Sequence, residues 1–248
     1  MRIAIVDTLG LTYDGDTLSK RGLGGSESAV ILMSKELVKL GFDVTVYNNC
    51  IDSEANSGMY DGVKFVDHTE FDYQDSCDIF ISSRTTAPFW DKSQYVQMAM
   101  AARHRVVWMH DTFCEGDEWL ETMLMQGYID EVFTLSDFHS WYVTSCDHGN
   151  KRNFEVLKHK FFHTRNGAVK HIDSVDVNKK DPLHFVYNAS ATKGLVPLIK
   201  TIWPAIRNKY PGAKLTCIGG YYRFREGAKP DAQEKLVNEI IDSKPSGV

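Results

Sequence analysis

The sequence predicts an α/β chain: a doubly wound parallel sheet, followed by the opening of a second unit of the same kind. Three observations predict it. Short apolar strands alternate with amphipathic helical stretches through the first two thirds of the chain. A polar, proline-ended stretch, Lys170–Pro182, then breaks the pattern. After it the strand–turn–helix–strand order starts again at about Leu183. This is the texture of two Rossmann-like units, the second incomplete. The expected domains are 1–170, a linker over 171–182, and 183–248.

The first strand is Arg2–Asp7 (RIAIVD), an apolar run of the kind buried in parallel sheets. A glycine-rich, polar loop follows over Thr8–Gly25. The next stretch, Ser26–Leu40, places Ala29, Leu32, Met33, Leu37 and Leu40 at helical spacing, with Gly41 as its C-terminal stop. Strands are expected at Asp43–Tyr47, Val63–Val66, Asp78–Ser82, Arg105–His110 and Glu131–Leu135. Helices are expected around Gln94–Ala102 and from Ser136 to Val143. Lys160–Arg165 returns to the sheet and stops at the Asn166-Gly167 turn signal. In the second unit a strand at Leu183–Tyr187, a turn, a helix over Leu195–Lys209 and a strand at Ala213–Ile218 lead to Gly219-Gly220.

Of the 248 residues, 43% are hydrophobic and 25% charged, enough for an ordinary core. The formal charge of −5 argues against a nucleic-acid binder, which needs a dense basic face. The five cysteines, Cys50, Cys77, Cys114, Cys146 and Cys217, are widely spaced and show no metal-ligand pairing. Reduced thiols and a cytoplasmic setting follow as the expectation. No apolar run reaches the ~20 residues of a membrane span, although contact with a membrane surface stays open.

Chemistry concentrates first in Gly22-Leu23-Gly24-Gly25-Ser26-Glu27, between the first strand and the first long helix. Glycines allow close backbone approach, and a helix N-terminus offers unpaired N–H groups to a phosphate. The glycines stand too far beyond the strand for a dinucleotide fingerprint, and no Gly-Lys-Ser/Thr follows for a P-loop. A plain glycine loop with Ser26 as helix N-cap reads the same residues equally well. Asp14-Gly15-Asp16 has the spacing of a metal-binding carboxylate pair but sits in this loop, not after a nucleotide-binding strand.

The ordered set of Gly-Gly-Ser-Glu opening a helix that ends LVKLGFDVTVY, then RVVWMHD, VFTLSDF, Asn-Gly-Ala-Val and FVYNASATKGLVPL resembles glycosyltransferases of the two-lobed GT-B fold, of the retaining family 4 type. The resemblance implies an N-terminal, acceptor-side lobe followed by the start of a donor-side lobe that looks truncated. It implies a hexosyltransferase-like enzyme of carbohydrate biosynthesis, taking a nucleoside-diphosphate sugar to a carbohydrate, lipid-linked or protein acceptor. Gly24, Gly25 and Ser26 would face the donor's diphosphate or reacting sugar, and His110 the transferred sugar. Lys193, with Gly194, would bind the diphosphate and offset charge on the leaving group. The arginine usual before that lysine is missing; Asn188 and Ser190 occupy the stretch. Arg84, Asp111, Ser136, Asn166 and Gly167 are further cleft candidates by position, each with a plain structural reading as ion pair, cap or turn. Trp119, Trp141 and Tyr142 could stack on a sugar, with core packing the simpler reading. Glu234 and Glu239 have the wrong spacing for the family's Glu-x7-Glu pair. No metal site and no cofactor beyond the sugar nucleotide are expected. The alternative is a non-catalytic acceptor-lobe binding module.

Overall fold

The computed structural model describes residues 1–52, 55–112, 116–145, 155–167, 176–189, 193–218, 232–243 and 247. Cys114, Cys146, Ala168, Val169, Ser190, Gly219-Gly220 and the first part of the 171–182 linker lie outside them. The chain divides into two compact units, Met1–Ala168 and Val169–Val248.

The first unit is an eight-stranded sheet. In chain order its strands are β1 (Arg2–Asp7), β2 (Asp43–Asn48), β3 (Gly58–Tyr60), β4 (Val63–Asp67), β5 (Ile79–Ser83), β6 (His104–Trp108), β7 (Glu131–Thr134) and β8 (Phe161–His163). They lie in the order β3-β4-β2-β1-β5-β6-β7-β8. Every pairing is parallel except β3 with β4, a hairpin the sequence reading did not anticipate. Its signal was present in Asp61-Gly62, where Asp61 at φ +50° and Gly62 at φ +82° make a tight reversal.

The helices are α1 (Thr17–Lys20), α2 (Gly25–Lys39), α3 (Val96–Ala101), α4 (Leu120–Met125) and α5 (Asp137–Ser145). Strand alternation sends one set of side chains to each face of the sheet. Ile3, Ile5, Val44, Val46, Ile81, Val106 and Trp108 pack with Val30 and Ile31 of α2. Ala4, Val6, Phe80, Val107 and Met109 pack on the other face with Met98 and Ala99 of α3 and Leu120 and Leu124 of α4.

Helix α2 ends in a Schellman motif: the Gly41 N–H donates to the Val38 carbonyl at 2.9 Å and the Phe42 N–H to the Leu37 carbonyl at 3.2 Å. Gly41 takes φ +90°, the left-handed region a side chain disfavours. Gly41→Ala is therefore expected to cost about 1 kcal/mol in a urea melt; an unchanged midpoint would contradict the motif's role. The fully buried stripe of α2 is Glu27, Val30, Ile31 and Ser34, while Ala29, Met33 and Leu37 of the expected stripe pack beside it, partly buried. Leu32 and Leu40 are exposed. Glu27 and Ser34 enter the buried stripe because their polar atoms are partnered, Glu27 by Arg84 and Ser34 by the Ile31 carbonyl.

Trp119 and Trp141, read as core, are exposed. Leu120 and Leu124 take the inner side of α4, and His139, Val143 and Thr144 that of α5. In the second unit β9 (His184–Asn188) pairs in parallel with β10 (Lys214–Ile218). The helix expected over Leu195–Lys209 is interrupted: α6 (Leu195–Pro197), a π-helical turn at Leu198–Ile202, then α7 (Trp203–Lys209). Pro204 has no N–H to give the preceding turn, which accounts for the widened ladder there. Helix α8 (Ala232–Asp242) follows, and among the described residues no helix is long and apolar enough to cross a membrane.

Candidate active site

The strand order reverses direction between β1 and β5, and ligands of open α/β sheets bind outside the C-terminal strand ends at such a point. Here that point is built from buried polar groups. Asp7 ends β1 and is paired in register with Asn48 at the end of β2. Ser83 ends β5 and is paired with Trp108 of β6. Each stands two residues beyond an apolar side chain on the α2 face, so alternation puts all four on that face. They form a polar row across four adjacent strands, and all four are buried.

Arg84 follows Ser83 at φ +64°, an uncommon conformation for a side chain of this size. Its N–H still donates to the Trp108 carbonyl at 3.0 Å, so the bend occurs at the sheet's edge and aims the guanidinium back over β1. There Arg84 Nη2 donates to Asp7 Oδ1 at 2.9 Å and to Glu27 Oε1 at 3.3 Å. Tyr13, fully buried, donates its hydroxyl to Asp7 Oδ2 at 2.8 Å. Burial first, and then the Asp7 carboxylate, hold the Tyr13 hydroxyl protonated far above its ordinary range. Arg84 is thus an internal counter-ion to two carboxylates, held through its Nη2.

The glycines divide into two kinds. A Cβ on Gly10 or Gly24 would collide with the Glu27 carboxylate, whereas one on Gly25 would meet nothing within 4 Å. Gly24 is the N-cap residue of α2, and no side chain caps the helix. The first amides of a helix have no intrahelical acceptor, so the start of α2 presents donors beside open space at Gly25. Ser26 lies inside the first turn and is not the cap; its Oγ stands 3.5 Å from Glu27 Oε2. Gly24→Ala is expected to lose about 1–3 kcal/mol of stability by overpacking. Gly25→Ala, in a helix with room above it, is expected to hold or slightly raise stability. Melting the two variants side by side checks the contrast.

His110 lies just past β6, its ring 4.4 Å from that of Trp108 and tilted by 48°. Burial, the dominant cause, pushes its pKa down to about 4; Asp7 and Asp111 oppose that, while Arg84 and His139 add to it. The imidazole is neutral at physiological pH and can give or accept one hydrogen bond with a hydroxyl. Among the described residues its Nε2 is buried without a protein partner, as are Asn48 Oδ1, Ser83 Oγ, Arg84 Nε and Trp108 Nε1. Native interiors rarely leave such atoms unmatched, and their clustering at one edge marks the place where an outside partner would be used.

Asp111 is exposed, and its carbonyl accepts from His139 Nε2 at 2.7 Å. His139 Nδ1 accepts from the Leu135 N–H at 3.2 Å, which fixes the proton on Nε2. Ser136 Oγ accepts from the His139 N–H at 3.1 Å, an N-cap contact for α5. Asn166 and Gly167 are exposed beyond β8, and the left-handed residue there is Arg165, at φ +56°. Lys193 and Gly194 belong to the second unit, where Lys193 is exposed and Gly194, at φ +104°, starts α6. The structure therefore brings Arg84, Gly24, Gly25, Ser26 and His110 into one neighbourhood of the first unit. Asp14 is an anchor for its loop: its carboxylate accepts from Thr17 Oγ1 and the Asp16 and Asn56 N–H groups. Among the described residues no group of three or more His, Cys, Asp or Glu is placed to share a metal ion.

Asp7, Tyr13, Glu27, Asn48, Ser83 and Trp108 were not singled out as site residues from sequence. A faint signal existed for two of them. Asp7 is a charge ending an apolar buried strand, and Glu27 falls at helical spacing with Val30, Ile31 and Ser34.

Neither a protein-family model nor a curated protein sequence matches the chain. Solved structures do. An alpha-glucosyltransferase, in complex with UDP and a 13-mer DNA containing an A:G mismatch, is 15% identical, with a TM-score of 0.51 over 96% of this chain. A sucrose-phosphate synthase from Thermosynechococcus elongatus is 11% identical, with a TM-score of 0.58 over 98% of this chain. The chain spans 59% of the first protein and 67% of the second. At such identities the likeness speaks to architecture alone, and the architecture of this chain is that of the GT-B glycosyltransferases.

Proposed function

We propose that the chain acts in the transfer of a sugar from a nucleoside-diphosphate sugar to a hydroxyl-bearing acceptor, with retention at the anomeric carbon. The observation that carries this reading is the cluster at the switch point: a neutral, half-buried His110 whose Nε2 is enclosed, and a row of unmatched polar atoms beneath an uncapped glycine start of α2. In this reading the α2 amides at Gly25 and Ser26 receive the diphosphate or the departing sugar oxygen. His110 holds a hydroxyl of the transferred sugar. Lys193 offsets the charge that builds on the nucleoside diphosphate, so no protein nucleophile and no metal ion are called on. The UDP named with one neighbour supports a uridine donor as the first to try. The DNA named with it stays with that protein, since the −5 charge offers no dense basic face.

Calorimetric titration with UDP, GDP and their hexose conjugates tests the reading. Saturable binding is expected, weakened about tenfold or more by Lys193→Ala, in keeping with loss of a charge-assisted contact. Silence toward every nucleotide with binding of an oligosaccharide would favour an acceptor-lobe module. Binding of NAD or S-adenosylmethionine instead would sink both.

A further inference from the structure

The buried charges at the switch point make few contacts with solvent and many with one another. Glu27 has 5% of its side chain exposed, Asp7 none and Arg84 15%. The three link four pieces of chain. Asp7 ends β1, Arg84 leaves β5, and Glu27 sits in the first turn of α2. The fourth piece is the loop between β1 and α2, whose Leu11 N–H donates to Glu27 Oε1 at 3.3 Å. Gly10 and Gly24 are both held close to the Glu27 carboxylate, one on each arm of that loop. The Glu27 carboxylate is thus wrapped by glycine backbone and clamped by the Arg84 guanidinium, while Gly25 next to it faces open space.

We propose that Glu27 is a positioning residue of the transfer reaction: its ion triple with Arg84 and Asp7 fixes the first turn of α2, and so the Gly25 and Ser26 amides, against the ends of β1 and β5. The proposal rests on the glycosyltransferase reading for what those amides bind. It stands apart from that reading for how they are held. At positions 10 and 24 a side chain would collide with the Glu27 carboxylate, whereas at 25 there is open space. An ion triple suits the task because one nitrogen of a planar, rigid guanidinium, Arg84 Nη2, holds both carboxylates at once.

The test uses the full chain as wild type, Glu27→Gln and Glu27→Asp, with two readouts. The first is amide hydrogen exchange at Leu11 and Ser28, beside the triple, and at Leu40, whose N–H bonds the Glu36 carbonyl at the far end of the same helix. The second is calorimetric titration with UDP. Both variants are expected to speed exchange at Leu11 and Ser28 tenfold or more while leaving Leu40 within twofold. They are also expected to weaken UDP tenfold or more at a temperature where both stay folded. Glu27→Asp is the decisive variant, since it keeps the charge and shortens the reach. Equal acceleration along the whole helix, or loosened exchange with UDP affinity unchanged, would overturn the positioning role. A wild type that binds no UDP while exchange responds locally would remove the nucleotide reading and leave the clamp as architecture only, which also overturns the role proposed. Should Glu27→Gln fail to fold, Glu27→Asp alone decides.

Discussion

Arg84→Met is expected to lower folding stability by about 3–5 kcal/mol, the usual penalty for stripping the partner from a buried ion pair. The side chain removed is the one cation that Asp7 and Glu27 share, at 2.9 and 3.3 Å. Both carboxylates would remain where they are, nearly without solvent, and methionine offers them no donor. Tyr13 would still bond Asp7, leaving Glu27 with the Leu11 N–H at 3.3 Å and the Ser26 hydroxyl at 3.5 Å, two weak neutral donors. Arg84→Lys keeps a charge but loses the planar fork, so an intermediate loss is expected. The double variant Glu27→Gln, Arg84→Met should lose less than the sum of its singles, because Arg84→Met strands the Glu27 charge that Glu27→Gln takes away. Equilibrium unfolding in urea checks all of these. A loss below about 1 kcal/mol for Arg84→Met would mean that water reaches the carboxylates and that the triple is a surface ion pair after all.

That triple also shows where reading the sequence stopped short. The sheet was legible because apolar runs such as RIAIVD and DIFIS are long enough to announce buried parallel strands. The helix α2 was legible from its period and from Gly41. Which side of α2 faced inward was not. Leu32, Leu40, Val30 and Ile31 compete on hydrophobicity alone, and the choice fell to the stripe containing Glu27, a residue that burial would normally expel. It is admitted because Arg84 comes to it from β5, across a separation in sequence that no local pattern encodes. His110 could be placed at its strand's end from sequence, because that position depends only on its own strand. Asn48, Ser83 and Trp108 became a row only once strand order and register were fixed. Sites at strand ends are therefore half visible in sequence: each member can be placed on its strand, and their company cannot. The interrupted helix around Pro204 is a gentler case, since the residue responsible stood in plain view and only its consequence was missed.

His110 gives the second large effect, and it is a matter of pH. Its pKa in the folded chain is pushed down to about 4 from an ordinary value of 6.5, chiefly because burial disfavours the imidazolium. Between those values the unfolded chain binds a proton that the native chain does not. Stability must then rise with pH through that window and fall as pH drops through it. Below about pH 4 both states carry the proton and the loss levels off. The gap between 6.5 and about 4 corresponds to roughly 3 kcal/mol for this one group. Other acids titrate over the same range, so the measurement is the difference between wild type and His110→Gln, which has no proton to gain. That difference is expected to shift by about 3 kcal/mol between pH 7 and pH 4 in favour of the variant. A flat difference would show that His110 is solvated, and an imidazole resonance titrating near 6.5 would show the same directly. The consequence for chemistry runs the same way. Asp7, close to Arg84, raises the His110 pKa less than burial lowers it, so the ring is neutral at physiological pH, able to hydrogen-bond a hydroxyl and carrying no charge for a phosphate. Beside it, Arg84 commits its Nη2 to the two carboxylates, while its Nε is buried with no partner among the described residues.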